Sequence, residues 1–227
     1  MMIVHSRKFV FVKTKKTAGT SIECALAPYL RPGDLASPLV EHDAKIRRYS
    51  KEFVRILRER DGNIRARNPH LPASVITDHF KLETEGYFRF CVERNPWDKA
   101  LSAFFFWISR HPVPRGKTDE ENFMEFAQSE RLNFFSDYEL YMRDDTPLVD
   151  RVLRYENLAE EFADVVDGLG LPNVKISGVR AKGDIRPEFS RSLERFYGPG
   201  IDNSAAKRVE AVFAREIAHF GYTPDIA

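Results

Sequence analysis

A chain of 227 residues, 43% hydrophobic and 30% charged, is long enough to bury one substantial core, or a core with an added lobe. Its net charge of +1 gives no overall attraction for nucleic acid, so recognition of an anion must be local. Two cysteines, Cys24 and Cys91, both in apolar stretches, fit buried thiols in a reducing compartment, and no Cys/His spacing typical of a metal site occurs.

Phe9-Val10-Phe11-Val12 is a run of β-branched and aromatic residues that predicts a buried strand. A polar turn from Lys13 to Ser21 follows, then an apolar-periodic run, Ile22, Ala25, Leu26 and Tyr29, that predicts a helix ending near Pro32-Gly33. Strand, small-residue turn and helix aim backbone N–H groups and a helix N-terminus at an anion. Lys16, Thr17, Thr20 and Ser21 would add one positive charge and hydroxyl donors, while Ala18 and Gly19 let the backbone come close; this is a phosphate cradle. The plain alternative is a Lys-Thr turn that only caps a helix. A Walker loop, G-x-x-x-x-G-K-[ST], puts its Lys after the second Gly, whereas Lys16 comes three residues before Gly19. The ATPase or GTPase geometry is therefore missing.

Arg31-Pro32-Gly33-Asp34 and Ser37-Pro38 mark a loop. Residues 41 to 60 predict an amphipathic helix with Ile46, Tyr49, Phe53, Ile56 and Leu57 on one face. Its other face belongs to a basic run, nine Lys/Arg against five acids from Glu41 to Arg67, which is either a solvated face or an attraction for an anionic acceptor or nucleotide. Asn68 to Ser74 forms a turn into a short helix or strand at Val75-Ile76, and Tyr87 to Glu93 predicts a central strand. Pro96 stands where proline suits the first turn of a helix, predicted over 97–110. Thr118 with Glu121 makes a capping box for a helix through Phe123 and Phe126, and a further helix is predicted over 133–143. Asp150 to Glu156 predicts a strand, followed by a helix from Asn157 to Gly168, a basic loop over 178–187, and helices over 188–197 and 203–219. The alternation predicts a three-layer α/β fold with a mainly parallel central sheet flanked by helices. We expect one domain over 1–227, with a helical insertion at 34–75 on the acceptor side. A strand beginning near the N-terminus leaves no room for a signal peptide, and no window approaches ~18 apolar residues, so a cytoplasmic protein without an integral membrane segment is expected.

Arg94 and Ser102 lie at a strand end and in the following helix, a spacing that lets a guanidinium and a hydroxyl converge on one phosphate. Arg94 can equally serve as a helix-entry arginine paired with Asp98. In open α/β sheets ligands sit at the carboxyl ends of strands, so Lys16 and Arg94 would share a rim if their strands are adjacent and parallel.

The run Lys16 to Ser21 resembles the 5′-phosphosulfate loop, P-K-T-[AG]-[GS]-T-S, of sulfotransferases that use 3′-phosphoadenosine 5′-phosphosulfate (PAPS), with Lys15 where many relatives carry Pro. Phe88 to Phe104, read as F-x-F-x-V-x-R-N-P-W-D-x-x-x-S-x-F, is similar to the 3′-phosphate segment of that family. Arg154-Tyr155-Glu156-Asn157-Leu158 and Phe213 to Tyr222 resemble its later segments. The subgroup most resembled contains uronyl 2-O-sulfotransferases and bacterial relatives. The resemblance implies a P-loop-like fold and transfer of a sulfuryl group from PAPS to an acceptor hydroxyl, carbohydrate being the acceptor class the family suggests, with 3′,5′-ADP as product and no metal.

In that picture Lys16 stabilises the bridging oxygen and Arg94 and Ser102 bind the 3′-phosphate. Lys182 and Gly183, with Arg180 or Arg186, would close over the nucleotide, and Lys13 would help hold the sulfuryl oxygens unless it simply points outward from a strand end. His70, placed before Arg94 much as the base histidine is in the 2-O-sulfotransferases, is the first candidate base; His79 beside Asp78 is the second. The competing classes are a P-loop-like nucleotide or sugar kinase and a non-catalytic nucleotide-binding relative.

Overall fold

A computed structural model describes residues 1–38, 44–112, 116–171, 173–176 and 186–224. In chain order the strands are β1 (Met2–Val4), β2 (Phe9–Phe11), β3 (Leu35–Ala36), β4 (Phe88–Glu93), β5 (Met142–Arg143), β6 (Thr146–Pro147) and β7 (Arg151–Arg154). The helices are α1 (Gly19–Leu26), α2 (Ala44–Arg60), α3 (Ser74–His79), α4 (Pro96–Ile108), α5 (Asp119–Gln128), α6 (Tyr138–Tyr141), α7 (Leu158–Gly168), α8 (Glu194–Tyr197), α9 (Ser204–Val212) and α10 (Ala214–Phe220). Two compact units are formed, Met1–Glu93 with Glu139–Ala181, and Arg94–Tyr138 with Lys182–Ala227.

The first unit is α/β. Among the described residues its main sheet has five strands in the order β3-β1-β2-β4-β7. β2 pairs with β4 and β4 with β7 in parallel, but β1 pairs antiparallel with both β2 and β3. The sheet is thus mixed, not mainly parallel. The difference comes from Met2-Ile3-Val4, which turns back through a 3-10 turn and a left-handed Lys8 (φ 54°, ψ 49°) to lie beside β2. Asp34 fastens this turn, accepting from the backbone N–H and the hydroxyl of Ser6 at 2.9 and 2.8 Å.

Phe9, Phe11 and Phe90 gather on one face of the sheet, the ring of Phe90 lying 5.1 Å from that of Phe11 and 6.1 Å from that of Phe9. Ile22 and Leu26 of α1 and Leu158, Phe162, Val165 and Val166 of α7 join the same core. α2 buries Ile46, Phe53 and Leu57 and exposes Arg47, Arg48, Lys51 and Arg58, the amphipathic split read from its sequence. Cys91 is a buried thiol on β4 and Cys24 a half-buried one on α1.

The second unit is helical, with its own core. Asn95 caps α4 by accepting from the Trp97 N–H at 3.1 Å, and Pro96 fills the first turn. Trp97, Leu101, Phe104 and Phe105 pack with Phe123 and Phe126 of α5, Phe196 of α8, and Val209 and Phe213. Phe104 meets Phe123 edge-to-face at 5.6 Å. Lys99 and Asp137, both fully buried, pair at 2.7 Å. Glu216 ties down the following turn by accepting from Ser136 Oγ and from the backbone N–H groups of Asp137 and Tyr138.

Candidate functional site: the turn between β2 and α1 and an arginine pair

β2 is extended by one residue, the Val12 N–H donating to the Phe90 carbonyl at 2.9 Å, so Lys13 leaves the sheet in a fixed direction. The segment from Lys13 to Ala18 then turns sharply. Lys16 (φ 61°) and Ala18 (φ 61°, ψ 17°) both take left-handed backbone, which costs a non-glycine residue about 1–2 kcal/mol. Hydroxyls offset this cost. Thr14 Oγ1 donates to the Val92 carbonyl, and because its proton is committed there, Thr17 Oγ1 is the donor in the 2.7 Å bond between the two threonines. Thr17, read as a phosphate ligand, therefore turns its hydroxyl into the loop.

α1 begins at Gly19 with Ala18 as N-cap and no side-chain capping bond, which makes a helix N-terminus beside the half-buried Lys16 and Ser21 and the buried Thr20. The glycine is required by a close approach. A Cβ at position 19 would stand 2.7 Å from Lys13 Cγ, because the lysine stem crosses the start of the helix. Lys13 is buried, its Nζ 2.5 Å from Glu23 Oε2, and Glu23 Oε1 also accepts from the Met1 amine at 3.2 Å. Lys13 thus pins the loop to α1; a strand-end lysine pointing to solvent does not occur.

His70 comes to the same loop. The Asn68 side chain accepts from the His70 backbone N–H at 3.0 Å, an Asx-type turn, and the ring Nδ1 lies 3.0 Å from the Lys13 carbonyl oxygen. His79 is placed differently, with Nε2 3.8 Å from Asp61 Oδ2. Its sequence neighbour Asp78 turns to Arg143, at 2.8 and 3.0 Å, and that hydrogen bonding lowers the Asp78 pKa.

In the second unit Arg94 is buried and grips Asp98, Nε at 2.6 Å and Nη2 at 2.5 Å from Oδ2. The helix-entry pairing with Asp98 is therefore formed. Arg186 reaches the other oxygen, Nη1 to Oδ1 at 2.5 Å, and donates through Nε to Ser190 Oγ at 3.0 Å. Burial pushes the Asp98 pKa up, but the charges and hydrogen bonds of the two guanidiniums outweigh it and leave the carboxyl below its ordinary range. Asp98 is thus shared by two guanidiniums, one on each carboxylate oxygen. Ser102, half-buried, stands one turn past Asp98 on the same helix face. Arg180, Lys182 and Gly183 lie outside the described residues.

No protein-family model matches the chain, and no solved structure matches it. An uncharacterized protein of Archaeoglobus fulgidus is 37% identical over 107 residues, 45% of this chain and 84% of the archaeal one. The two chains belong to one family.

Two features of the site were not readable from sequence. Lys13 and Glu23 are ten residues apart across a turn, and nothing in their spacing signals an ion pair. The meeting of His70 with the Lys13 carbonyl joins residues 57 apart through a backbone atom, which no residue pattern encodes. The Arg94–Asp98 pair, by contrast, is an i,i+4 spacing and was open to reading.

Proposed function

We propose that the chain is a PAPS-dependent O-sulfotransferase with a P-loop-like, three-layer domain, acting on a carbohydrate hydroxyl. The observation that carries this reading is the turn between β2 and α1: a helix N-terminus, with Lys16, Thr20 and Ser21 in the turn and the first residues of the helix, and the imidazole of His70 on the turn's entrance peptide. A cradle for a 5′-phosphosulfate needs the first set, and removal of a hydroxyl proton needs the second.

In the reaction the acceptor oxygen attacks sulfur in line as the bond from sulfur to the phosphate oxygen breaks. The acceptor proton goes to His70, and 3′,5′-ADP leaves. Negative charge grows on the departing phosphate oxygen, where Lys16 and the N–H groups at the start of α1 oppose it. Arg94 and Ser102 take the 3′-phosphate, Arg94 by charge-assisted bonds. The gathering of two guanidiniums on Asp98 supports an anion site there.

Release of 3′,5′-ADP from PAPS, followed with and without unsulfated polysaccharides, tests the reaction. Wild-type protein should turn over PAPS, Lys16→Ala should be slower by about 10²–10³-fold, and His70→Ala by about 10²–10⁴-fold. Full turnover in Lys16→Ala would remove the cradle from the mechanism.

A further inference from the structure

We infer that the peptide carbonyl of Lys13 sets the proton position of His70, holding its imidazole as the Nδ1–H tautomer so that the lone pair lies on Nε2. The use of that lone pair rests on the sulfotransferase reading; its location does not.

A carbonyl oxygen can only accept a hydrogen bond, so the 3.0 Å contact requires a proton on Nδ1. A neutral imidazole has one N–H, and the other nitrogen is then the acceptor. In water the Nε2–H form is the more populated, and one hydrogen bond of this kind reverses the preference by up to about tenfold.

The acceptor is unusually well fixed for a loop carbonyl. Lys13 follows directly on the Val12–Phe90 backbone bond. Its stem lies against Gly19 and its ammonium is held by Glu23 inside the protein. The donor side is fixed too: Asn68 holds the His70 backbone N–H at 3.0 Å, and Pro69 and Pro72 limit the chain on either side. The residue that leads into the cradle therefore also orients the base, and the two are set in register by one peptide group. Lys13 is a positioning residue in this account, acting through His70. Its side chain need not touch the reacting atoms.

Long-range ¹H–¹⁵N spectra of the whole chain at pH 8, where a histidine of ordinary pKa is neutral, read the tautomer directly. His70 should show a protonated Nδ1 and an unprotonated Nε2. The reverse pattern, or an averaged one, would overturn the inference. The resonance is assigned by its loss in His70→Asn, or, should that variant not fold, by proximity to Lys13 in the wild-type protein. The Asn amide can take the place of Nδ1–H and keep the bond to the Lys13 carbonyl, so His70→Asn should melt within a few degrees of wild type. Its PAPS turnover should still fall about 10²–10⁴-fold, because it carries no base. An Nδ1–H tautomer together with wild-type turnover in His70→Asn would leave the positioning correct and the base assignment wrong.

Discussion

At the scale of single residues, two of the side chains that look most like ligands are spent on structure. Lys13 and Thr17 hold the cradle's shape, Lys13 across Gly19 to Glu23 and Thr17 back to Thr14. Gly19→Ala should therefore destabilise the protein by about 1–3 kcal/mol, seen as a melting point several degrees lower, since the added methyl meets a pinned stem. An unchanged melting point would mean that Lys13 is free to move. Asp98 gives a pH test. Its folded-state pKa is lowered, so the stability it contributes is complete above the ordinary carboxylate pKa and fades as pH falls through the folded value, in the region below about 4. Asp98→Asn should cost on the order of 2 kcal/mol at pH 7, and the difference from wild type in urea midpoint should shrink toward pH 3. A difference that stays constant with pH would contradict the charge argument.

Elements were legible in proportion to their length and their end signals. The Thr118–Glu121 capping box and Pro96 at the first turn of α4 are both formed, and Thr118→Ala should lower stability by about 1 kcal/mol in a denaturant titration. The long strand β4 and the helices α2 and α7 stand close to where periodicity puts them. What the sequence hid was short or paired at a distance. β1 and β3 have three and two residues, too few to show a period of two, and their antiparallel pairing is what makes the sheet mixed. The expected helix over 133–143 is instead a 3-10 turn, the short α6 and the β5–β6 hairpin. Asp144 (φ 48°) and Asp145 (φ 60°) form the two-residue loop of that hairpin, with positive φ at both, where glycine or asparagine would have announced the turn. The single helix expected over 203–219 breaks at Phe213, which has no glycine or proline to mark it and is fully buried in the helical core. The cradle itself was legible as a strand, a polar turn and a helix; the partners of Lys13 and His70 were not, because they are set by tertiary approach.

For the molecule as a whole, each unit has a core of its own, one built on the mixed sheet and one wholly on helices. Among the described residues no helix is long and apolar enough to cross a membrane. The proposed sulfuryl transfer requires that an adenosine bearing phosphate at both ends be recognised without a metal. Calorimetric titration with 3′,5′-ADP in the presence of a chelator tests this most directly. We expect micromolar binding, about −8 kcal/mol, weakened about tenfold or more in Arg94→Ala. Absence of binding, or tighter binding of ATP that depends on Mg²⁺, would contradict the sulfotransferase reading and favour a kinase.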